Sequence, residues 1–233
     1  MKKITLFMMV MLTMCVSVKA EKEATNMNPG KAVIVKCPYC GTGKELMTLV
    51  SGNTIGAEYW SDNKRIAPML PTVSPVQKCP NCGKYYFGHK NRQGQSENTS
   101  FELGELTFYE WTEAYDQFQA EGVNEDEMLA VRFWIIQSYN DDFYREKDSA
   151  GPTDNDFLVF SKMVIELNTF HNWKSVQQHL LKAELYREAN LMKECKEVLD
   201  SIPFDELEDY EKNIFNDIKR RMENNDKVVF KLH

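Results

Sequence analysis

The sequence predicts an α+β protein in which a small β unit precedes a larger all-α unit. Short apolar runs separated by turn-forming residues are confined to residues 21–88, whereas apolar and aromatic residues recur at helical spacing after residue 101. The charge changes at the same place: residues 21–100 carry 10 basic and 6 acidic side chains, and residues 101–233 carry 15 basic and 29 acidic ones. Such asymmetry is typical of two separately built units.

The composition excludes several classes of protein. Of the 233 residues 42% are hydrophobic and 12% are aromatic, which is too many for a wholly disordered chain. The formal net charge of −7 opposes a general nucleic-acid binder, because such proteins need a basic surface to displace counterions from phosphates. Only the first twenty residues contain an apolar run long enough to concern a membrane, so a multi-spanning protein is excluded.

Residues 1–20 have the layout of a secretory signal peptide. A short basic start precedes an apolar run that ends at Val18-Lys19-Ala20. We expect cleavage after Ala20, export to the periplasm or beyond, and no membrane span in the mature chain. Lipidation of Cys15 is disfavoured, because Met14 occupies the preceding position, where lipoprotein signals carry a small residue.

Four cysteines form two matched pairs with the order Cys-Pro-x-Cys-Gly. They are Cys37-Pro38-Tyr39-Cys40-Gly41 and Cys79-Pro80-Asn81-Cys82-Gly83. In each knuckle the proline fixes φ beside the first thiol, and the glycine permits a positive φ after the second. Two such knuckles provide four thiolates for one tetrahedral Zn²⁺ ion, with Cys37, Cys40, Cys79 and Cys82 as ligands. Such a site is structural, because four sulfurs leave no open position for water or substrate.

These pairs resemble the knuckles of the zinc-ribbon and rubredoxin-like families over about residues 31–88. The resemblance implies a zinc-ribbon domain over residues 21–88, although the span from Gly41 to Lys78 is longer than in compact ribbons. A unit of this size has little hydrophobic core of its own. Zinc-linked folding, on the order of 10 kcal/mol at neutral pH, would offset that shortfall.

Three other interpretations of the cysteines stay open. Paired cysteines in an oxidising compartment are often disulfides, and four thiolates can also bind iron. The sequence Cys37-Pro38-Tyr39-Cys40 matches the active site of the glutaredoxins, but that pattern requires a helix to begin at the second cysteine. Gly41-Thr42-Gly43 follows instead, which opposes a helix. The duplicated proline and glycine oppose disulfides, which need neither, and zinc is the favoured interpretation. His89 could substitute for a ligand, but the four cysteines already satisfy zinc.

Lysines and aromatic residues surround the knuckles. Lys36, Lys78 and Lys84 either offset the charge of a zinc tetrathiolate or act as ordinary solubilising residues. The residues between and after the knuckles predict strands at Leu46–Val50 and at residues 57–60. The aromatic residues of this unit are either a recognition face or core, and core is the favoured interpretation; they are Tyr59, Trp60, Tyr85, Tyr86 and Phe87.

The remainder of the chain predicts a linker at residues 89–100 and an α-helical domain at residues 101–233. The first helix contains the aromatic residues from Phe108 to Phe118, and the second begins after the candidate cap Asn124. A third contains Phe157 to Phe170, and three more follow at about residues 173–189, 191–202 and 205–222. Short helices joined by short loops are typical of antiparallel helical hairpins.

Residues 180–195 are similar to a tetratricopeptide-type hairpin. Tyr186 lies near the end of the first helix, Asn190 takes the turn position usually given to glycine, and Cys195 falls where a small residue allows close packing. The similarity spans about one repeat, and a 34-residue period is absent from the sequence. It implies a TPR-like helical domain whose grooves hold a protein or peptide partner, and the acidic helical half would attract a basic or neutral one.

Motifs for catalysis are absent from the sequence. It has no Gly-rich phosphate loop after a strand, no Gly-x-Ser-x-Gly elbow and no His-Glu-x-x-His, and His171 and His179 are best explained by capping or packing. We therefore expect an exported, non-catalytic, zinc-stabilised interaction module. The alternative is a thiol–disulfide oxidoreductase that uses Cys37 and Cys40. A zinc ribbon that binds nucleic acid is opposed by the charge and by the export signal.

Overall fold

The chain forms small antiparallel β-sheets in its first half and helices in its second, in a computed structural model that describes residues 28–95, 105–144 and 151–232. The predicted α+β class is confirmed at this level. The predicted signal peptide, with its cleavage site after Ala20, lies outside the described residues. None of the helices in the described ranges combines the length and the apolar character that a membrane span requires.

Nine short strands pair into four antiparallel sheets within the described residues. Strand β1 pairs with β4, β2 lies between β3 and β9, β5 pairs with β6, and β7 pairs with β8. The strands are β1 Asn28–Pro29, β2 Val33–Lys36, β3 Gly43–Leu46, β4 Leu49–Ser51, β5 Glu58–Tyr59, β6 Arg65–Ile66, β7 Val76–Lys78, β8 Tyr85–Phe87 and β9 Arg92–Gln95.

Each cysteine knuckle is the turn of a β-hairpin. Strands β2 and β3 pair from Val33 opposite Leu46 to Lys36 opposite Gly43, so residues 37–42 form the first turn. Strands β7 and β8 pair with Lys78 opposite Tyr85, so residues 79–84 form the second. The register of each hairpin therefore determines where its two thiols lie.

Two features of the β half differ from the sequence-based expectation. The predicted strand at Leu46–Val50 is divided, because Leu46 ends β3 in one sheet and Leu49 begins β4 in another. At the division the hydroxyl of Thr48 donates to the carbonyl of Lys31. The predicted linker at residues 89–100 begins instead with a 3₁₀ turn, Gly88–Asn91, and with β9, which pairs with β2. The polar side chains of β9 are exposed.

Seven helices follow within the described residues. They are α1 Phe108–Glu121, α2 Glu125–Tyr139, α3 Asp141–Tyr144, α4 Asp154–Phe170, α5 Val176–Glu188, α6 Met192–Asp200 and α7 Asp209–Glu223, with a 3₁₀ turn at Phe204–Glu206. Four helices begin at a residue whose side chain accepts a hydrogen bond from the backbone of the first turn, as a helix N-terminus requires. These caps are Thr107, the predicted Asn124, Thr153 and Ser175. The predicted second helix, with Phe143 on one of its faces, is divided at Asn140 into α2 and the short α3.

The β half and the helical half share a hydrophobic core. Val76, Tyr85 and Phe87 of the second hairpin belong to the same buried cluster as residues of α1, α2, α4 and α5. The ring of Phe87 stacks on that of Phe118 in α1, with centroids 4.7 Å apart. The domain boundaries at residues 88 and 101 stay a prediction, but burial of β8 by α1 joins the second knuckle to the helices.

The C-terminal segment, residues 228–232, returns to the β half. The amide of Leu232 donates to the carbonyl of Tyr59 at 2.8 Å, and the amide of Ser61 donates to the carbonyl of Phe230 at 2.8 Å. Phe230 is buried in a second core cluster with residues of α5, α6 and α7, and the guanidinium of Arg221 lies 4.4 Å from its ring centroid. The segment therefore connects the β5–β6 hairpin to the last helices.

We expect Phe230→Ala to destabilise the protein by about 3 kcal/mol, because it removes a buried ring and leaves a cavity. The matched control is Val228→Ala in the same segment, where 44% of the side chain is exposed and the cost should stay below about 0.5 kcal/mol. The free energy of unfolding in urea measures both. Equal losses for the two variants would contradict the role given to Phe230.

Candidate metal centre

The two knuckles have the same backbone conformation. In the first, the amide of Cys37 donates to the carbonyl of Thr42 at 2.9 Å and the amide of Gly41 donates to the carbonyl of Cys37 at 2.9 Å. In the second, the amide of Cys79 donates to the carbonyl of Lys84 at 2.9 Å, and the amide of Gly83 donates to the carbonyl of Cys79 at 3.0 Å. Gly41 and Gly83 have φ of +75° and +72°, in the left-handed region that favours glycine. The predicted positive φ of both glycines is thereby confirmed.

The folded hairpins bring all four cysteines to one point. The four Sγ atoms lie within 4.8 Å of one another. Two close contacts join the knuckles, with Cys37 Sγ 3.6 Å from Cys82 Sγ and Cys40 Sγ 3.5 Å from Cys79 Sγ. In a tetrahedral site with Zn–S bonds of about 2.3 Å, two sulfurs lie about 3.8 Å apart, whereas a disulfide joins sulfurs about 2.05 Å apart. The four thiols are free and can hold one metal ion.

Backbone amides donate to the second thiol of each knuckle. The amide of Thr42 donates to the Cys40 thiol, and the amide of Lys84 donates to the Cys82 thiol. In each knuckle the donor is two residues after the cysteine. Hydrogen bonds with the side chain and the backbone of Thr42 lower the pKa of Cys40 to about 5. At Cys82 the Lys84 amide also favours the thiolate, but burial and the three neighbouring thiols outweigh it and raise the pKa to about 12.

The difference between the pKa values of Cys40 and Cys82 follows from the closeness of the four thiols. Four thiolates so close together repel one another, so that without a cation at the centre some of them keep their protons. A bound metal ion supplies the compensating positive charge and binds the thiolate form. The chemistry of the donor set therefore fits a thiophilic cation, such as Zn²⁺, better than it fits four independent thiols.

One side of the cluster is buried and the other faces solvent. Cys37 and Cys79 are buried with Val35 and the ring of Tyr86, whereas Cys40 and Cys82 are exposed. Burial and the charge of the neighbouring cysteines raise the pKa of Tyr86 to about 12. This phenol therefore stays neutral and contributes an apolar wall to the site.

Helix α1 holds the two knuckles from the outside. The carboxamide of Gln117 accepts a hydrogen bond from the amide of Tyr85 at 3.0 Å and donates to the carbonyl of Tyr85 at 2.9 Å. Its Nε2 also lies 3.0 Å from the hydroxyl of Tyr39, between the cysteines of the first knuckle. That hydroxyl donates to Glu121 Oε2 at 2.6 Å, and burial followed by this bond raises the pKa of Tyr39 to about 12. Gln117 thus bridges both halves of the cluster.

The sequence interpretation missed these helix residues. Glu110, Glu113, Gln117 and Glu121 recur at helical spacing and form a polar stripe along α1, and each contacts a residue of one of the two cysteine hairpins. The signal is a run of long polar side chains beside the aromatic stripe of the same helix. It resembles an ordinary solvated face, so the sequence alone did not assign the stripe to the knuckles.

The other residues considered from sequence lie elsewhere or have other partners. Lys78 Nζ lies 3.1 Å from Glu110 and 3.7 Å from Glu113, so helix carboxylates share its charge. Lys84 Nζ lies 6.0 Å from the ring centroid of Tyr39. His89 is outside the cluster formed by the four cysteines, which is the one candidate metal group among the described residues.

The local structure does not follow the glutaredoxin pattern. After Cys40 the chain continues through Gly41 in the left-handed region and enters strand β3 at Gly43, where that pattern needs the first turn of a helix. Each first-knuckle cysteine has a close sulfur contact with a second-knuckle cysteine. All four thiols therefore belong to one cluster.

Comparisons with known proteins give no family for this chain. Family models, curated proteins and solved structures yielded no match. The function must therefore be argued from the geometry of the chain itself.

We expect Gly41→Ala to destabilise the protein by about 1–2 kcal/mol, because alanine is strained at a φ of +75°. The neighbouring Gly43→Ala is the matched control. It lies in β3 with ordinary φ, and an added Cβ there would meet Ile34 Cγ2 at 3.7 Å, a normal contact distance. Urea unfolding of both variants measures the difference. A loss for Gly43→Ala as large as that for Gly41→Ala would contradict the conformational argument.

Proposed function

We propose that this protein is an exported, non-catalytic interaction module whose β half is stabilised by a structural zinc ion. The observation that carries the proposal is the convergence of four free thiols from two hairpin turns. With four sulfur ligands the coordination of zinc is complete, so the ion stabilises the fold and offers no position for a reacting molecule. Cys37, Cys40, Cys79 and Cys82 are its proposed ligands.

The finer fold assignments belong to the same proposal. The hairpins β2–β3 and β7–β8, joined at their turns by one ion, would make residues 21–88 a zinc-ribbon domain with a long insertion. Helices α5 and α6 would form a TPR-like hairpin. Asn190 has a φ of +61° in the turn between them, and Cys195 is buried against the residues of α5 in a shared core cluster. The predicted signal sequence supports export.

A cavity between the two halves supports the interaction function. Its volume is about 490 Å³, within the range of small-ligand and side-chain pockets. The rings of Trp111 and Trp134 stack in its wall with centroids 5.3 Å apart. Residues from the β5–β6 turn, the start of α1, the end of α2, α3 and the start of α4 also contribute to the described lining, together with Ser74.

The charge of the helical half favours a basic partner. Residues 101–233, which contribute most of the described cavity lining, carry 15 basic and 29 acidic side chains. Lys64 Nζ lies 5.4 Å from the Trp134 ring centroid, which demonstrates how a cation can rest on this aromatic wall. We therefore propose a peptide partner that presents a lysine or arginine next to an apolar side chain, consistent with the acidic helical half.

Metal analysis tests the zinc proposal. The purified mature protein should contain about one zinc per chain, and its four ligand thiols should react with a thiol reagent only after a chelator is added. Cys79→Ser should lose the metal and much of its thermal stability. Cys195→Ala, which changes a buried cysteine of the helical half, should keep about one zinc. A metal-free protein with a reducible Cys37–Cys40 bond would instead support the oxidoreductase alternative.

Peptide binding tests the partner class. Two labelled peptides of equal length, one with lysine beside phenylalanine and one with glutamate in place of lysine, would be titrated by fluorescence anisotropy. The basic peptide should bind more tightly, and less so at high salt. Tyr109→Ala, at the cavity, should weaken binding about tenfold, whereas Tyr210→Ala, an aromatic residue of similar exposure on α7, should not. Equal binding of both peptides would refute the proposed partner class and leave the zinc proposal standing.

A further inference from the structure

Three carboxyl groups are buried together where the β5–β6 turn meets the helices. Asp62 lies in that turn, and Glu184 and Glu188 lie one helical turn apart on α5. Their exposed fractions are 0%, 0% and 2%. Burial of ionised carboxylates costs several kcal/mol each unless a cation or a set of donors compensates the charge. How this site is neutralised therefore determines whether the two halves stay together.

The guanidinium of Arg187 hydrogen-bonds to only one of the three carboxyls. Arg187 donates from Nε to Glu184 Oε2 at 2.8 Å and from Nη2 to Glu184 Oε1 at 2.5 Å, in a bidentate pair that is fully buried. Its remaining donors bind the carbonyls of Asp226 and Val228. Arg187 therefore hydrogen-bonds to Glu184 alone among the three carboxyls. Its charge also lowers the pKa of Glu188, but burial and the charges of Glu184 and Asp62 outweigh that effect.

Neutral donors connect the other two carboxyls. The amide nitrogen of Asn140 lies 3.1 Å from Asp62 Oδ2 and 2.8 Å from Glu188 Oε2, and it occupies the space between them. The hydroxyl of Tyr144 donates to Asp62 Oδ2. Glu188 Oε1 has no hydrogen-bond partner although it is buried. A metal ion would need the position that Asn140 fills, so a proton is the simpler means of neutralisation.

The other charged groups that face this cluster do not supply the missing positive charge. The amide of Lys64 donates to Asp62 Oδ1, but its ammonium lies over the rings of Trp134 and Tyr144. Arg221 of α7 pairs with Asp226 at 2.5 Å. The neutral groups nearby are the phenol of Tyr139 and the thiol of Cys195, which are coupled electrostatically to Glu188 and Glu184 respectively.

We propose that Glu188 is a proton-dependent latch beside Asp62, in which the protonated Glu188 carboxyl group holds the β5–β6 turn against α2, α3 and α5, and loss of that proton loosens the contact. A proton on Glu188 would complete the network, because a carboxylic acid can donate toward Glu184 while it accepts from Asn140. The latch also controls the C-terminal segment, since Ser61, next to Asp62, binds Phe230 through its amide and its hydroxyl.

The electrostatics of the two groups agree with this geometry. Burial, and then the charges of Glu184 and Asp62, raise the pKa of Glu188 well above its ordinary value. Burial also raises the pKa of Asp62, although hydrogen bonds from Tyr144 and Asn140 oppose the effect. Glu188 in the folded protein thus keeps its proton to a higher pH than in the unfolded chain, where a glutamate carboxyl titrates at about 4.3. Stability is therefore greatest below that unfolded-state pKa and falls as pH rises toward the folded-state value.

The test is the pH dependence of unfolding in urea between pH 6 and 9, where thiolate-bound metal is retained. The unfolding equilibrium constant of the unmodified protein should rise with pH, by up to about tenfold per pH unit for each carboxyl that loses its proton on unfolding. Glu188→Gln should reduce this slope and stabilise the protein at pH 8, because glutamine supplies a permanent N–H donor toward Glu184. Glu197→Gln, an exposed carboxyl on α6, should behave as the unmodified protein does.

Two further measurements keep the latch falsifiable if Glu188→Gln does not fold. The amides of Ser61 and Leu232 should lose protection from hydrogen exchange as pH rises, after correction for the intrinsic exchange rate, while amides in α1 keep theirs. Infrared spectra at neutral pH should contain the carbonyl stretch of a protonated, buried carboxylic acid, and Asp62→Asn should weaken that band. Absence of the band, a flat pH profile, or stabilisation at pH 8 by added Ca²⁺ alone would overturn the proposal.

Discussion

The β half depends on the convergence of two hairpin turns, whose cysteines are about forty positions apart in the chain. Each turn is formed by the same pair of backbone hydrogen bonds and is closed by a glycine in the left-handed region. Strands of two to four residues bury little apolar surface, so they would be marginal alone. The four thiols at the junction are thus the point where a single bound ion would contribute most to the stability of this half.

The helical half supports that junction from a second direction. Gln117 binds the backbone of one hairpin and the tyrosine of the other, and Phe87 places the end of β8 in the same core as α1. A disturbance of the knuckles would consequently be felt in α1, although the two lie in different parts of the sequence. The same helix contributes Trp111 to the cavity between the halves, so the cysteine cluster and the cavity share a supporting element.

Local features of the sequence were sufficient for the elements, but not for their assembly. The cap at Asn124 and the apolar spacing after residue 101 predicted helices that the structure contains. The paired Cys-Pro-x-Cys-Gly motifs predicted two equivalent turns. Both signals act within a few residues. The stripe of Gln117 and Glu121, the pairing of β9 with β2, and the burial of Asp62 beside Glu188 are contacts between distant positions. They depend on tertiary packing, which no local pattern specifies.

The pairing of Tyr59 with Leu232 has a consequence for biosynthesis. These residues are separated by most of the chain, yet an isolated antiparallel bridge between Trp60 and Lys231 joins the C-terminal segment to the end of β5. During translation, the knuckles and most helices can form while later residues are still inside the ribosome. The contact between β5 and the C-terminal segment can form only after residue 232 has emerged, so this edge of the hairpin stays unpaired until then.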